Sequence, residues 1–448
     1  MDETTDGKMP AAMMRLLDLR GKTPTEIDIN LLVPRASLDI SKAVDQILPL
    51  LAAVKANGST ELIRVSQERD GIDPRPIRVE KNELHQALQQ ISPDLRKAIE
   101  TAIARVRKFS EETKPHSISV QLGKGATVSQ RWQPVDSVGL YVPGGKAVYP
   151  SSVVMNVVPA QVAGVPRLAI ATPGQKEFGG RPHPSVLATA ELLGVDEIYC
   201  MGGPAAIAAF AYGLPDVPLE PVRMVTGPGN IFVAAAKRAL RGTIGIDSEA
   251  GTTEILIVAD SSSDPRLIAY DLISQAEHDE AAASVLITDS LEIAEAVGRA
   301  VTELAPITAN SARVLSALNG QQSAIVVVDS LELALDLASE YSTEHLEIHT
   351  ADDQKSLEKI SNAGAIFLGK SSPVSLGDYM AGSNHVLPTG QQAKFGSGLS
   401  VFSFLRAQQV IDYNEAALAE VANQVDLFAR TEGLPAHGEA ILARLNRS

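Results

Sequence analysis

The chain has 448 residues, 45% of them hydrophobic and 21% charged, the balance of a globular protein too long for one ordinary core. Its formal net charge of −15 argues against a nucleic-acid partner, which would require clustered Lys and Arg, and every greasy stretch is broken well short of the roughly 18 apolar residues of a membrane span. The single cysteine, Cys200, permits no internal disulfide, and the acidic start MDETTDGKMP reads as a frayed tail rather than a secretory leader, so a cytoplasmic location is expected.

Residues 38–113 carry a helical period. Ile40, Ala43, Val44, Ile47, Leu48 and Leu51 recur at i, i+3, i+4, i+7, and Leu95, Ala98, Ile99, Ala102, Ile103 and Val106 repeat the pattern. After Val135 short β-branched runs alternate with helical stretches: GLYV (139–142), RLAIAT (167–172), EIYCMG (197–202) and VRMVTG (222–227). A second series follows: EILIVAD (254–260), SVLITD (284–289), SAIVVVD (323–329), HLEIHT (345–350) and AGAIFLG (363–369). Continuous apolar strands alternating with helices predict parallel sheets covered on both faces. The expected fold is therefore α/β, with two Rossmann-like parallel-sheet domains and small N- and C-terminal helical segments. The boundaries read as an N-terminal segment 1–36, a larger α/β domain from 37–140 and 254–398 with a helical N-terminal part, a second Rossmann-like domain 141–253, and a tail 399–448. That tail is helix-like over 415–447, with apolar faces but little mass, and is expected to pack on a second subunit.

Neither G-x-G-x-x-G nor G-x-x-x-x-G-K-[ST] occurs. Three other glycine-rich turns adjoin strand-like runs: YVPGGKAVYPSS (141–152), TGPGN (226–230) and AGTTE (250–254). Free backbone N–H groups at such turns can receive phosphate or carboxylate. Any one of them alone reads equally as a tight turn needing positive φ.

Four polar motifs hold the candidate chemistry. In SQAEHDE (274–280), Gln275 and His278 are i, i+3 neighbours, an amide oxygen and an imidazole that make half a divalent-metal site or simply a solvated helix end. In STEHLEIHT (342–350), Glu344 and His345 suit general acid–base chemistry, while Leu346 and Ile348 favour a strand over a helical His345/His349 metal pair. LGDYMAGSNHVLPTG (376–390) offers Asp378 and His385 on a glycine-rich segment, and EGLPAHGEA (432–440) offers Glu432 and His437. No HExxH and no Cys/His finger occurs. Residue types alone reach an α/β enzyme, nucleotide- or metal-dependent, and leave the choice open.

Seven elements in one order, LYVPGG, YPSSVVMNVVPAQVAGV, TGPGNIFV, SQAEHD, EHLEI, GDYMAGSNHVLPT and EGLPAH, resemble the histidinol dehydrogenase family from about residue 14 to 445. The resemblance implies four-electron oxidation of L-histidinol through L-histidinal to L-histidine with NAD+. It implies a homodimer with exchanged tails and one zinc ion per subunit, held by Gln275, His278, Asp378 and His437 of the partner subunit. The substrate would lie against the same ligands and against Thr253, His345, His385 and Glu432 of the partner subunit. His345 would be the base on the hydroxyl, Glu344 would activate water, and Tyr141 and Asn230 would contact NAD+. Two positions depart from the family pattern: Ala205 in GGPAAIA (202–208), where Gln is usual, and Thr252, where Pro is common. Weaker or rearranged NAD+ binding is the expectation. Oxidation of another amino alcohol is the main alternative, beside a metal-dependent hydrolase built on Glu344 and a nucleotide-binding relative without catalysis.

Overall fold

The computed structural model describes residues 14–36, 40–144, 147–249 and 251–445. The tail expected at 1–13 lies outside them. Two parallel sheets dominate. The first has six strands in the order Arg15–Asp18, Ala324–Val327, Ala283–Thr288, Glu254–Ala259, His345–His349, Ala365–Leu368. The second has five, in the order Ile198–Cys200, Arg167–Thr172, Ser137–Tyr141, Met224–Thr226, Gly245–Ile246. All neighbouring strands in both run parallel.

The apolar runs are continuous because both faces of each sheet are covered. Along Glu254–Ala259, Ile255, Ile257 and Ala259 join one core while Leu256 and Val258 join the core on the opposite face. The five-stranded sheet divides likewise, Val138 and Leu140 facing one core and Tyr141, Ala169 and Ala171 the other. Its central strand carries Gly139, where a Cβ would lie 2.6 Å from the Phe210 ring, so the missing side chain lets the helix Gly203–Tyr212 seat closely. Helix starts follow local chemistry: Asp264 accepts the Arg266 N–H ahead of Pro265, and Ser290, Ser330 and Asn414 cap their helices in the same way.

Strand order reverses between Ser137–Tyr141 and Met224–Thr226 in the second sheet, and between Glu254–Ala259 and His345–His349 in the first. The sheets are mounted so that the N-terminal edge of the six-stranded sheet faces the C-terminal-edge loops of the five-stranded one. Ser152, in the first turn of the helix Pro150–Ala163 that follows Ser137–Tyr141, lies 3.1 Å from Nε2 of His385, and Asn384 donates to the Met155 carbonyl at 2.7 Å.

The expected domain boundaries need four corrections. Within the expected segment 1–36, Arg15–Asp18 is not separate but forms the edge strand beside Ala324–Val327. The helices within 40–113 pack on the five-stranded sheet rather than on the six-stranded sheet of 254–398. Ala43, Ile47, Leu51 and Val54 pack under one face of the five-stranded sheet, and Leu84, Ile99 and Val106 over the other. The second sheet starts at Ser137 rather than 141. Finally, the tail does not begin at 399 alone: Leu405–Tyr413 is antiparallel to Ala126–Pro134, which pairs with Ile118–Gly123, in a three-stranded sheet followed in the chain by the helices Glu415–Thr431 and Pro435–Leu445, which pack on each other. In Ile118–Gly123 the residues Ile118, Val120 and Leu122 alternate with polar ones, yet all three are exposed, so the alternation points to no core. Among the described residues no helix is long and apolar enough to cross a membrane.

Candidate active site

The crevice between Tyr141 and Thr226 is the switch point of the five-stranded sheet, the place where open α/β sheets take nucleotides. Two of the glycine turns meet there. Gly227 has φ +115°, and a Cβ on it would stand 2.0 Å from the Tyr141 carbonyl oxygen, so only glycine fits. Its peptide is gripped on both sides. Asp247 accepts the Gly227 N–H at 2.8 Å, and the buried Lys237 ammonium donates to the Gly227 carbonyl and lies 2.6 Å from Asp247. Asn230 caps the next helix, its Oδ1 accepting from the Phe232 and Val233 N–H groups at 3.1 and 3.2 Å, which leaves its NH2 for a ligand. The Tyr141 hydroxyl accepts from Gly203 N–H at 3.0 Å, and burial pushes its pKa up to about 12. Ala205, in the first turn of the following helix, is 1% exposed and packed in the core. In the other two turns, residues 145, 146 and 250 lie outside the described ones.

At the facing edge of the six-stranded sheet, one peptide holds two side chains. The Glu254 N–H donates to Oε2 of Glu344 at 3.0 Å, and the Glu254 carbonyl accepts from Nδ1 of His345 at 3.1 Å. With Nδ1 as donor, the free lone pair of His345 sits on Nε2, the tautomer a base requires. Both side chains are buried, and the His345 ring is 3.5 Å from the Glu344 carboxylate. Burial pushes Glu344 up to about 8, against hydrogen bonds from Thr253 and the Glu254 N–H, and lowers His345 below its ordinary 6.5. Glu254 is itself anchored by Arg35 at 2.6 Å and the Gly390 N–H at 2.6 Å, its own pKa pushed up to about 7 by burial.

Thr253 orders the next link. Its single hydroxyl proton goes to Glu344 at 2.6 Å, so it can only accept from Gln275, whose NH2 is thereby turned toward it. Oε1 of Gln275 is left buried without any partner, in a side chain only 1% exposed. An orphaned buried amide oxygen costs about 1–3 kcal/mol and calls for a ligand. His278 follows just past the end of the helix Pro265–Ala276, lining the open cleft with enough protein around it to lower its pKa. The charge of Asp378 acts on His278, His345, His385 and Glu344 together. An amide oxygen, an imidazole and a carboxylate form a donor set suited to a divalent transition metal.

A second group competes on proximity: ligand atoms of Asp271, Glu347 and His349 lie within 4.8 Å of one another. Its carboxylate is already occupied. Oε1 of Glu347 accepts the Val374 N–H at 2.8 Å, Oε2 contacts Nε2 of His349 at 3.2 Å, and Asp271 shares a hydrogen bond with it. The unsatisfied acceptor is on Gln275, and there the ligand-binding capacity lies.

Thus Thr253, Gln275, His278, Glu344, His345, Asp378 and His385 are brought to one cleft. His385 is fully engaged between the Asp378 carbonyl at 3.0 Å and Ser152 at 3.1 Å. Glu432, in the turn after the helix Glu415–Thr431, and His437, on the helix Pro435–Leu445, are exposed and hydrogen-bond to none of the cleft residues of their own chain. Sequence reading missed Glu254, the last residue of the AGTTE turn, together with Lys237 on the helix Ile231–Leu240 and Asp247 just after the strand Gly245–Ile246, all three with buried side chains. It also passed over Ser152, although YPSS lay in a motif already singled out.

A nucleotide-type crevice facing an acid–base pair with a metal-type donor set defines an α/β oxidoreductase of the dehydrogenase kind. The family model described as histidinol dehydrogenase matches residues 33–445. The chain is 53% identical over 431 residues to histidinol dehydrogenase of Leifsonia xyli subsp. xyli, covering 96% of this chain and 99% of that one. It is 53% identical to that of Thermobifida fusca, covering 96% and 97%. The crystal structure of histidinol dehydrogenase from Elizabethkingia anophelis superposes with a TM-score of 0.90 at 30% identity, covering 97% of this chain and 98% of that one. The chain belongs to the histidinol dehydrogenase family.

The Lys237–Asp247 clamp carries a prediction. Asp247→Asn strands a buried ammonium and is expected to cost about 3–5 kcal/mol in urea unfolding. Glu249→Gln, which breaks the more exposed pair with Arg238, is expected to cost under about 1 kcal/mol. Equal small losses would show that the Gly227 peptide is not held by a desolvated ion pair.

Proposed function

We propose that this protein oxidises L-histidinol through L-histidinal to L-histidine, reducing two NAD+ per turnover and using one zinc ion per subunit. The balance is alcohol plus water plus two NAD+ giving carboxylate, two NADH and three protons. The observation that carries the reading is the partnerless Gln275 oxygen beside the Glu344–His345 pair. Family membership supplies the substrate.

Gln275, His278 and Asp378 would hold the metal, with His437 of the partner subunit completing the set. NAD+ supplies the hydride acceptor, and the metal supplies a fixed positive anchor for the substrate's hydroxyl and amine. Nε2 of His345, neutral because burial disfavours its charged form, takes the hydroxyl proton as hydride leaves the same carbon. Glu344 then deprotonates water for attack on the aldehyde, and the second hydride leaves from the hydrated carbon. Thr253 and the Glu254 N–H aim the Glu344 carboxylate. Tyr141 and Asn230 flank the nucleotide crevice, with His385 walling the cleft on the Ser152 side. Ala205 is a packing residue here, so the cofactor would rely on the remaining contacts of that crevice.

The tails would be exchanged between two copies. Support comes from Ile411, Leu427 and Phe428, 70%, 68% and 70% exposed on an arm that already packs its smaller residues inward. Glu432 and His437 of the partner subunit would then reach the cleft. A cytoplasmic, reducing location suits the free Cys200.

The test is NADH formation from L-histidinol and NAD+ across pH, with zinc-loaded, chelated and Glu344→Gln protein. Because Glu344 must be ionised to act, acid formation is expected to fall about tenfold per unit below its raised pKa of about 8. Chelation should abolish NADH formation and zinc restore it. Glu344→Gln should lower acid formation by about 10²–10⁴ and remove that limb. Full activity in metal-free protein would sink the metal assignment.

Tail exchange is tested by mixing two inactive variants, Gln275→Ala and His437→Ala. Subunit exchange should restore activity, because one site of the mixed dimer keeps every ligand. No recovery from a demonstrably mixed dimer would refute exchange.

A further inference from the structure

The reading above leaves one buried charged group unused. Glu347 is 0% exposed, in a strand between the core residues Leu346 and Ile348. A carboxylate in such a place is costly unless its partners are exact in number and direction. Each partner here lies on a different element, and each of those elements carries a residue of the cleft. Asp271 sits on the helix Pro265–Ala276, one turn before Gln275. Val374, whose N–H Glu347 accepts at 2.8 Å, is the first residue of the helix Val374–Tyr379, one turn before Asp378. Glu347 itself follows His345 by two residues and so shares its face of the strand. His349, on that face again, lies 3.2 Å from the remaining oxygen.

We propose that Glu347 is the positioning residue of the active site, fixing the helix of Gln275, the helix of Asp378 and the strand of His345 against one another through a single buried carboxylate. Its two oxygens are held by the Val374 N–H and by the His349 ring N–H. Asp271 stays protonated beside it, pushed up to about 8 by burial and by the neighbouring Glu347, and so donates rather than repels. The three elements converge on that carboxylate, whereas the nucleotide crevice is built on the other sheet. Loss of Glu347 should therefore loosen the metal donors and the base while leaving the nucleotide loops unmoved.

The proposal rests on the metal reading, and its test separates the two. Glu347→Gln keeps the acceptor for Val374 but changes the bond to Asp271. Val374→Pro removes the N–H at a helix position that tolerates proline, after Pro373, whose φ −67° and ψ 156° already suit a following proline, and it also reshapes a buried side chain, for which Val374→Ala, keeping the N–H, is the control. Cobalt(II) or zinc(II) titration of each apoprotein gives affinity, and steady-state kinetics give kcat and KM. Glu347→Gln is expected to bind metal about 10–100-fold more weakly, with kcat reduced and KM for NAD+ unchanged, and to alter the visible spectrum of bound cobalt. Val374→Pro should shift affinity in the same direction, and it serves alone if Glu347→Gln does not fold.

Metal affinity and kcat within twofold of wild type in both folded variants would overturn the proposal. Gln275→Ala is the control. If it loses the metal while the two variants do not, the positioning role fails and the metal reading stands. If Gln275→Ala binds as wild type and His349→Ala does not, the Asp271–Glu347–His349 group is itself the cation site, and both readings fall.

Discussion

The site depends on the backbone of one residue. Glu254 opens its strand at the N-terminal edge of the six-stranded sheet, where a parallel ladder leaves an N–H and a C=O facing outward. The N–H goes to Glu344 and the carbonyl to His345. Because His345 is registered against Ile255, a slip of one residue between those strands would send both side chains to the wrong face. The acid–base pair is thus fixed by the same pairing that fixes the sheet. The Glu254 side chain extends that hold outward, through Arg35 to the N-terminal segment and through Gly390 to the loop after His385.

From this edge a directed chain of hydrogen bonds runs through Glu344 and Thr253 to Gln275, and its polarity has a chemical consequence. One hydroxyl proton, already committed, dictates which end of an amide faces the cleft. The orphaned oxygen costs stability in the free protein, a cost that a bound ligand would offset. Opposite stands the five-stranded sheet, contributing its loops by their C-terminal ends, with Gly227 held by a buried ion pair. One sheet presents its beginning and the other its end, so acid–base chemistry and a nucleotide crevice can face each other across one cleft.

Much of this was legible in the sequence. Continuous apolar runs such as EILIVAD and RLAIAT marked the strands because both faces of each sheet are buried. The polar motifs marked Gln275, Glu344, His345 and Asp378 because each is a cluster of donor side chains set between apolar or glycine-rich stretches. Three things were not legible. The helices of 40–113 could have covered either sheet, since an apolar stripe does not name its partner. The strands Ile118–Gly123 and Ala126–Pro134 carry a short alternation, Ile118, Val120 and Leu122 between polar residues, but those side chains are exposed, so the pattern names neither a core nor a partner strand. Glu254, Lys237 and Glu347 looked like ordinary charged residues, because burial of a charge is decided by contacts with residues far away in the chain.

The central claim is that the unsatisfied amide oxygen of Gln275, rather than the tighter but saturated Asp271–Glu347–His349 group, is where a metal ion binds. Anomalous diffraction at the zinc edge from crystals grown with zinc tests it most directly. The account predicts one strong peak per subunit, about 2.0–2.2 Å from Oε1 of Gln275, a His278 nitrogen and an Asp378 oxygen. A peak centred among Asp271, Glu347 and His349, with the Gln275 oxygen still without a partner, would contradict it.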